Sequence, residues 1–455
     1  MASFYVENFG CRATQADGAA VEQQFRERGL LRAERASEAE VVVLNTCTVT
    51  ASADRDARAA IRRVRRENPG CQIVVTGCYA QRAPEEVVAL PGVSRVIGNS
   101  HKHRLAEIAL GRVESRESAA GFVPLSSLSS GQRAAVEDQR LYVSDIFAHT
   151  ELLAAPVFDA ANERTRPNLK VQDGCDNRCS FCVIPSVRGQ SRSLPLSRIL
   201  AEVNTLVAAG YREVVISGIN LGRWGRDLAI EPARFEDLVR AILDETALEK
   251  VRISSVEPMD WTDELIGLVA ESSRIAKHAH VPMQSGSDRV LRLMHRKYRP
   301  WHYREKIEKI RAAMPTVAIG ADVMAGFPDE TDRDFDETRR MVEELPFTYL
   351  HVFTYSPRPG TPAAAMRNQV PGQVARERNK VLRDLASEKK LAFTQSFAGK
   401  TVEAITLNVF DGVSTECLTD NYLKLKLAGK HAPNRWSQVK VAKAEPDALV
   451  GELVI

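Results

Sequence analysis

Short apolar runs alternate with longer amphipathic stretches over most of this 455-residue chain. In residues 1–114 the apolar runs are strand-sized and lie at 4–9, 41–44 and 73–75, and the stretches between them have helical spacing. This alternation is typical of a parallel sheet with crossover helices. Residues 1–114 are therefore predicted to form an α/β domain.

Residues 161–390 repeat the alternation six times. The strand-like runs lie at 169–171, 213–217, 251–254, 278–281, 317–323 and 349–355. Six strand–helix units predict a partial (β/α)6 barrel, and in such barrels ligands bind at the carboxyl ends of the strands. Residues 115–160, which show no clear period, are predicted to be a linker.

Residues 391–455 change to a period of two. Strand-like runs at 401–410, 417–428 and 438–442 are separated by turn residues such as Asp411 and Gly412. This pattern predicts a small antiparallel β-barrel. The chain as a whole is predicted to be α/β with an all-β domain at its C-terminal end.

Composition limits the classes of protein that fit. The chain is 44% apolar and 27% charged with a net charge of only +3, so it is predicted to be globular, and any nucleic-acid surface must be local. No apolar run approaches the roughly 18–20 residues that span a bilayer, and the first residues lack a signal-peptide pattern. We expect a cytoplasmic protein with no membrane partner, in which the eight cysteines are metal ligands or catalytic thiols in preference to disulfides.

Three cysteines, Cys175, Cys179 and Cys182, follow the first barrel strand as C-x3-C-x2-C, and we call them the barrel triplet. Random placement would give about 0.002 such triplets. Structural zinc is the alternative, but it needs four ligands and no fourth lies nearby, whereas three cysteines suit a four-iron cluster with one open iron. With Phe181 before its last cysteine, the motif resembles the signature of radical S-adenosylmethionine (SAM) enzymes. That resemblance implies that the open iron binds the amino and carboxylate groups of SAM.

A second set, Cys11, Cys47 and Cys78, comes directly after the three apolar runs of residues 1–114 and is called the N-terminal trio here. The carboxyl ends of parallel strands lie at one edge of the sheet, so these cysteines are predicted to converge. Cys71 precedes its strand and is predicted to be structural at the opposite edge, and Cys417 to be a buried thiol. The alternative for the trio is that its thiols only pack.

Polar residues flanked by Gly or Pro follow the barrel strands, where SAM would bind. Gly218 would let a backbone approach the ligand closely, and the polar candidates for contacts with SAM are Asn220, Glu257, Gln284 and Asp322. Turns alone also favour Gly and Pro, so the alternative is that these segments only connect elements.

Arginine beside aromatic residues is typical of RNA-binding surfaces. One predicted helix carries six arginines: Arg55, Arg58, Arg62, Arg63, Arg65 and Arg66. A second basic patch lies next to Tyr298 and Trp301 and comprises Arg289, Arg292, Arg296, Lys297 and Arg299. The alternative for each patch is a solvated helix face. Residues 397–455 contain seven basic and seven acidic residues, so their charge does not by itself indicate RNA.

The order of these parts resembles the methylthiotransferases over nearly the whole chain. The resemblance implies that the N-terminal trio holds an auxiliary [4Fe-4S] cluster, that the barrel triplet holds the radical SAM [4Fe-4S] cluster, and that the last domain is an RNA-binding TRAM module. An unactivated C–H bond requires a radical, so no side-chain acid, base or nucleophile is predicted. External sources of electrons and of sulfur are implied as well.

The runs 252–258, 350–356 and 418–422 resemble the branch that adds a methylthio group to C2 of N6-threonylcarbamoyladenosine at position 37, in the anticodon stem-loop of tRNA. Two segments depart from this branch: 12–15 differs from the usual family pattern, and 184–186 is similar to the ribosomal-protein branch. The alternative substrates are isopentenyl-adenosine tRNA and a ribosomal-protein aspartate. A more distant alternative is a non-catalytic RNA-binding iron–sulfur or zinc sensor.

Overall fold

The computed structural model describes residues 2–111, 140–149, 152, 165–228 and 232–454. The chain divides into two compact units. The first comprises residues 1–155 and 183–190, and the second comprises residues 156–182 and 191–455. Most of the predicted linker, 115–160, lies outside the described residues.

The first unit is built on a six-stranded parallel sheet with strand order β2-β1-β3-β4-β5-β6. Its elements are β1 (Ser3–Asn8), α1 (Arg12–Arg26), β2 (Leu31–Arg32), β3 (Val41–Thr46), α2 (Ala51–Glu67), β4 (Gln72–Gly77), α3 (Cys78–Arg82), α4 (Pro84–Val88), β5 (Val93–Ile97), α5 (Leu105–Ala109), β6 (Leu141–Tyr142) and α6 (Ile184–Arg188). The three predicted strands are present as β1, β3 and β4. Strand β6 comes from the segment predicted to be a linker and pairs with β5.

Strand β3 shows why these runs are continuously apolar. All six of its residues are buried, and alternate side chains enter cores on opposite faces of the sheet. Val42 and Leu44 pack with α2, whereas Val41 and Val43 pack in the core that contains α1 and α5. A parallel strand covered on both faces has no polar side to display.

The second unit begins with the predicted partial barrel. Its elements are β7 (Asn168–Asp173), β8 (Arg192–Ser193), α7 (Leu196–Ala208), β9 (Glu213–Gly218), α8 (Phe235–Glu245), β10 (Lys250–Ile253), α9 (Asp263–Glu271), β11 (His278–His280), α10 (Asp288–Leu293), α11 (Pro300–Ala313), β12 (Ala318–Ala325), α12 (Asp332–Glu344), β13 (Tyr349–Thr354) and α13 (Gly372–Gln395). All six predicted strands are present, in sheets of order β10-β9-β7-β8 and β11-β12-β13. A parallel bridge between Ser255 and His280 joins the two sheets.

The C-terminal residues form a closed five-stranded barrel of order β14-β15-β16-β18-β17. Its strands are β14 (Thr401–Phe410), β15 (Ser414–Thr419), β16 (Lys424–Ala428), β17 (Trp436–Ala444) and β18 (Leu449–Leu453). The predicted run 417–428 is in fact two strands, separated by a turn in which Tyr422 has a φ of 70°. The barrel is not wholly antiparallel, because β16 and β18 pair in parallel. Cys417 is buried in the barrel core, as predicted, and burial raises its pKa to about 12.

A buried ion pair links the two parts of the second unit. Glu213 on β9 accepts a 2.7 Å hydrogen bond from Arg252 on β10, and Arg252 also donates to the carbonyl of Asp420 at 2.9 Å. Burial alone would raise the pKa of Glu213, but Arg252 and Arg166 outweigh it and hold the pKa below its ordinary value. None of the helices in the described ranges is both long and apolar enough to cross a membrane.

Replacing Glu213 with Gln is expected to lower the free energy of unfolding of the second unit by roughly 3–5 kcal/mol, because Arg252 would lose its buried counter-ion. The contribution of Glu213 is present at neutral pH and is lost as the pH falls through its lowered folded-state pKa. Urea unfolding followed by tryptophan fluorescence measures this unit alone, because all four tryptophans lie in it.

The matched control is Glu249→Gln. Glu249 pairs with Arg212, but 43% of its side chain is exposed, so the loss should be below about 1 kcal/mol. Equal losses in the two variants would contradict a special role for the buried pair.

Candidate metal centres and cofactor site

The N-terminal trio lies at the carboxyl edge of the first sheet. Cys11 follows β1, Cys47 follows β3, and Cys78 is the first residue of α3 after β4. Gly10, with a φ of +99°, makes the close approach possible, because a Cβ at this position would lie 2.6 Å from the Cβ of Cys47. Cys71 lies at the other end of β4. The structure therefore places these three cysteines at one edge of the sheet, as the strand pattern predicts.

The thiols of the trio lie close enough to influence one another. Burial is the main cause that raises the pKa of Cys47 to about 11, and Cys78 and Cys11 raise it further. Cys47 and Cys78 are buried, whereas Cys11 is exposed. A thiol with such a pKa is protonated at neutral pH, so a metal that binds Cys47 must displace its proton.

Two polar side chains beside the trio were not found from the sequence. The Asn99 amide donates to Cys78 Sγ at 3.6 Å, and the Thr14 hydroxyl lies 3.5 Å from Cys11 Sγ. Nothing in the local pattern singles them out, since Asn99 begins a 3-10 helix (Asn99–Arg104) and Thr14 lies within α1.

The barrel triplet lies in the loop after β7, and the loop is held from within its own unit. The amide of Cys182 donates to the carbonyl of Cys179 at 3.1 Å. Ser180 donates through its amide to the carbonyl of Met294 at 3.1 Å and through its hydroxyl to that of Leu293 at 2.7 Å. All three cysteines keep partial exposure, so a ligand can reach them.

Arg296 is the main residue at this site that sequence reasoning missed. Its guanidinium donates to Cys179 Sγ at 3.2 Å and forms an ion pair with Glu257. Arg296 and Tyr298 were predicted to belong to an RNA-binding patch, but both are buried, so that part of the prediction is wrong. The Tyr298 hydroxyl donates to the carbonyls of Pro282 and Met283, which follow β11, and so fixes this segment to the barrel.

Two predicted SAM contacts lie directly beside the triplet. Asn220 donates to Cys175 Sγ at 3.6 Å, and Glu257 reaches the triplet through Arg296. Burial raises the pKa of Cys175, and the nearby Cys179 and Glu257 add to that effect.

The other predicted SAM contacts lie on neighbouring strand ends. Gly218 ends β9, and a Cβ there would lie 2.8 Å from Gln172 Oε1. Gln284 has a φ of 60°, and its backbone N–H donates to the carbonyl of Asp322 at 2.8 Å. The Asp322 carboxylate lies 3.5 Å from His280 Nε2. The structure thus places Gln284 next to Asp322 on β12, whereas Gly218 belongs to the other sheet.

The strand ends that carry Gly218, Asn220, Glu257, Gln284 and Asp322 are called the candidate SAM rim here. Two buried oxygen atoms indicate whether this rim suits SAM. Within the described residues, Asn220 Oδ1 and Gln284 Oε1 have no hydrogen-bond partner. A buried acceptor without a donor costs about 1–3 kcal/mol, which a ligand with N–H or O–H groups would remove. SAM carries an ammonium, an adenine amine and ribose hydroxyls, so the residues present fit it.

Across the described ranges, no three His, Cys, Asp or Glu side chains are close enough together to hold a single metal ion. A four-iron cluster differs from a single ion because each cysteine binds a different iron. The cysteines that hold a cluster therefore do not have to meet at one point.

Comparison with known proteins shows the general class of enzyme. Residues 169–342 match the radical SAM superfamily, and residues 3–98 match a family described as uncharacterized protein family UPF0004. The fold is similar to the radical SAM methyltransferase TsrM from Kitasatospora setae, with a TM-score of 0.55 at 17% identity over 80% of this chain and 77% of that chain. It is also similar to the cobalamin-dependent radical enzyme OxsB, with a TM-score of 0.54 at 13% identity over 84% of this chain and 55% of that chain. The barrel and its cysteine loop are those of a radical SAM enzyme.

Relatives with named activities narrow the class of enzyme further. "Threonylcarbamoyladenosine tRNA methylthiotransferase MtaB" of Bacillus subtilis is 36% identical over 98% of this chain and 94% of its own length. The protein of the same name from Aquifex aeolicus is 35% identical over 93% of this chain and 96% of its own. "tRNA-2-methylthio-N(6)-dimethylallyladenosine synthase" of Novosphingobium aromaticivorans is 35% identical over 89% and 86%. The chain belongs to the radical SAM methylthiotransferase family, and it is a transferase that uses SAM and a [4Fe-4S] cluster.

Replacing Arg296 with Met is expected to lower the rate of reductive SAM cleavage about tenfold or more. The change removes a charge-assisted hydrogen bond, worth roughly 1.5–3 kcal/mol, and 1.4 kcal/mol corresponds to a factor of ten. The measurement is 5′-deoxyadenosine formed per iron bound under anaerobic conditions.

Arg292→Met is the matched control, because Arg292 pairs with Asp288 on the same stretch of chain and 63% of its side chain is exposed. It should cleave SAM at the unchanged rate. An unchanged rate in Arg296→Met as well would show that the contact with Cys179 is not used.

Proposed function

We propose that this protein is the methylthiotransferase that converts N6-threonylcarbamoyladenosine at position 37 of tRNA into its 2-methylthio derivative. The observation that carries the proposal is near full-length similarity, at 35–36% identity, to proteins of that named activity from Bacillus subtilis, Aquifex aeolicus and Rickettsia prowazekii. The candidate SAM rim and the two cysteine sets supply the groups that such an activity needs. We place the protein in the cytoplasm, with the anticodon stem-loop of tRNA as its binding partner and with external sources of electrons and sulfur.

The two sets of cysteines would have different roles. The barrel triplet would hold the cluster that activates SAM, and the N-terminal trio would hold a second [4Fe-4S] cluster. These cofactors, when bound, supply the one-electron chemistry that an unactivated C2–H bond requires, since ordinary side chains cannot remove that hydrogen. Asn220 and Gln284 would accept hydrogen bonds from SAM, and Gly218 would let it approach the strand end.

Helix α2 supports the assignment of an RNA substrate. Ala57, Ile61 and Val64 face the core of the first unit, so the arginines of this helix lie on its other face. Arg58 and Arg63 are held by Glu86 and Glu7, and four further arginines of the helix are exposed: Arg55, Arg62, Arg65 and Arg66. An exposed row of arginines suits a phosphate backbone.

Iron analysis tests the two-cluster proposal. Anaerobic reconstitution should give about eight irons per chain, as two four-iron clusters require. Changing all three cysteines of either set to Ala should leave about four irons, because the other set keeps its cluster. Cys71→Ala and Cys417→Ala are matched controls and should keep all the iron. A count of about four in the unchanged chain, insensitive to changes in the N-terminal trio, would refute the second cluster.

Product analysis tests the substrate. The reconstituted enzyme is incubated with SAM, dithionite and tRNA that carries either N6-threonylcarbamoyladenosine or N6-isopentenyladenosine, and the nucleosides are then analysed by mass spectrometry. We expect a methylthio product only from the first. A product only from isopentenyladenosine would favour the activity named for the Novosphingobium relative. A parallel reaction supplies ribosomal protein in place of tRNA. Methylthiolation of its aspartate, with neither tRNA modified, would exclude a tRNA substrate.

A further inference from the structure

A buried group of charged side chains lies beside the N-terminal trio. Arg188 donates to Asp17 Oδ2 at 3.0 Å, and Lys102 reaches the same oxygen at 3.2 Å. The side chains of Arg188, Asp17 and Lys102 are only 2%, 3% and 4% exposed. Buried charges cost several kcal/mol each unless opposite charges lie near them, so charges retained here influence whatever lies beside them.

Arg188 lies one hydroxyl group away from a thiol of the trio. Its guanidinium is 3.5 Å from Thr14 Oγ1, and that same oxygen is 3.5 Å from Cys11 Sγ. A single hydroxyl therefore bridges the guanidinium of Arg188 to the thiol of Cys11.

The group is fixed to the strand ends that carry the cysteines. Lys102 donates to Asn45 Oδ1 at 3.2 Å. Asn45 in turn donates to the carbonyl of Thr14 at 2.7 Å and to Asn8 Oδ1 at 2.9 Å. Asn45 lies two residues before Cys47, so its hydrogen bonds hold the ends of β1 and β3 and the start of α1 in fixed positions.

Helix α6 brings Arg188 to this place. Val187 packs with Cys78 and Val183 in a small buried cluster, and its carbonyl accepts a 2.7 Å hydrogen bond from Asn99. Asn99 also donates to Cys78 Sγ. The helix is therefore held at the third cysteine of the trio, and the guanidinium of its last residue lies beside Thr14, which contacts the first.

We infer that Arg188 is a positioning residue whose buried positive charge stabilises the reduced form of a cluster held by the N-terminal trio. The inference rests on the proposed function only in requiring that these cysteines hold a cluster. Reduction adds one electron from an external one-electron donor, with no bond broken and no proton taken up, so it adds negative charge beside three thiolates. A nearby buried cation offsets that charge strongly because the dielectric there is low.

The test uses the full chain with all three cysteines of the barrel triplet changed to Ala, so that only the N-terminal trio can bind a cluster. Anaerobic titration with dithionite, followed by electron paramagnetic resonance, gives the midpoint potential. Arg188→Gln should lower the equilibrium constant for reduction about tenfold or more, which is about 59 mV for one electron. Arg188→Lys should restore most of the loss, because it restores the charge.

Two further variants distinguish an effect of charge on the potential from a loss of structural support. Asp17→Asn should shift the potential upward, opposite to Arg188→Gln, because it removes the negative member of the group. Both variants break the same ion pair, so loss of that contact would shift the potential in the same direction in each, whereas an effect of charge gives shifts of opposite sign. Arg63→Gln is the control in the same unit: Arg63 pairs with Glu7 and is 45% exposed, so its charge is screened and the potential should stay unchanged.

The outcomes distinguish this inference from the proposed function. The background protein is the chain in which the barrel triplet has been changed to Ala. If it binds no iron, the trio holds no cluster and the proposed second cluster fails. If it binds about four irons and the potential is the same in Arg188→Gln, Asp17→Asn and the background protein, the inference is overturned while the cluster stands.

Discussion

Parallel strand pairing is the constraint on which both candidate sites depend. In a parallel sheet every strand ends at the same edge, so residues far apart in the chain become neighbours once the register is set. Asn8 pairs with Asn45 and Thr46 pairs with Gly77, which brings the next few residues of each strand, including the N-terminal trio, to one edge. The partial barrel uses the same geometry for the barrel triplet and the residues of the candidate SAM rim.

The edge alone does not make a site for thiolates, because gathered negative charges repel one another and resist burial. Each set of cysteines has one buried arginine nearby. Arg296 donates to Cys179 across 117 residues of sequence, and Arg188 reaches Thr14, beside Cys11, across 174. Both arginines are fixed by carboxylates, Glu257 and Asp17, which hold their charge in one place.

The strands that sequence reasoning missed are short or are interrupted by residues that are not apolar. Strands β5 and β18 have five residues each, but Ser94 and Arg95 interrupt the first and Gly451 and Glu452 interrupt the second. Strands β2, β6 and β8 have two residues each, too few to show a hydrophobic period. Strands β15 and β16 were merged because the alternation continues across the turn, and only the backbone shows the positive φ of Tyr422. Arg296 was predicted to lie on the surface. The identity of an arginine does not show whether a carboxylate and a thiol lie beside it in the folded protein.

The sequence by itself determined the order of the domains, the two sets of cysteines and the family, because these depend on spacing along the chain and on where apolar runs end. The tertiary structure decided which polar and charged groups face the thiols, namely Asn99, Asn220, Arg188 and Arg296. It also decided that β16 and β18 close the C-terminal barrel in parallel. Such contacts join residues that no local pattern relates, and burial and electrostatics select them only after the chain has packed.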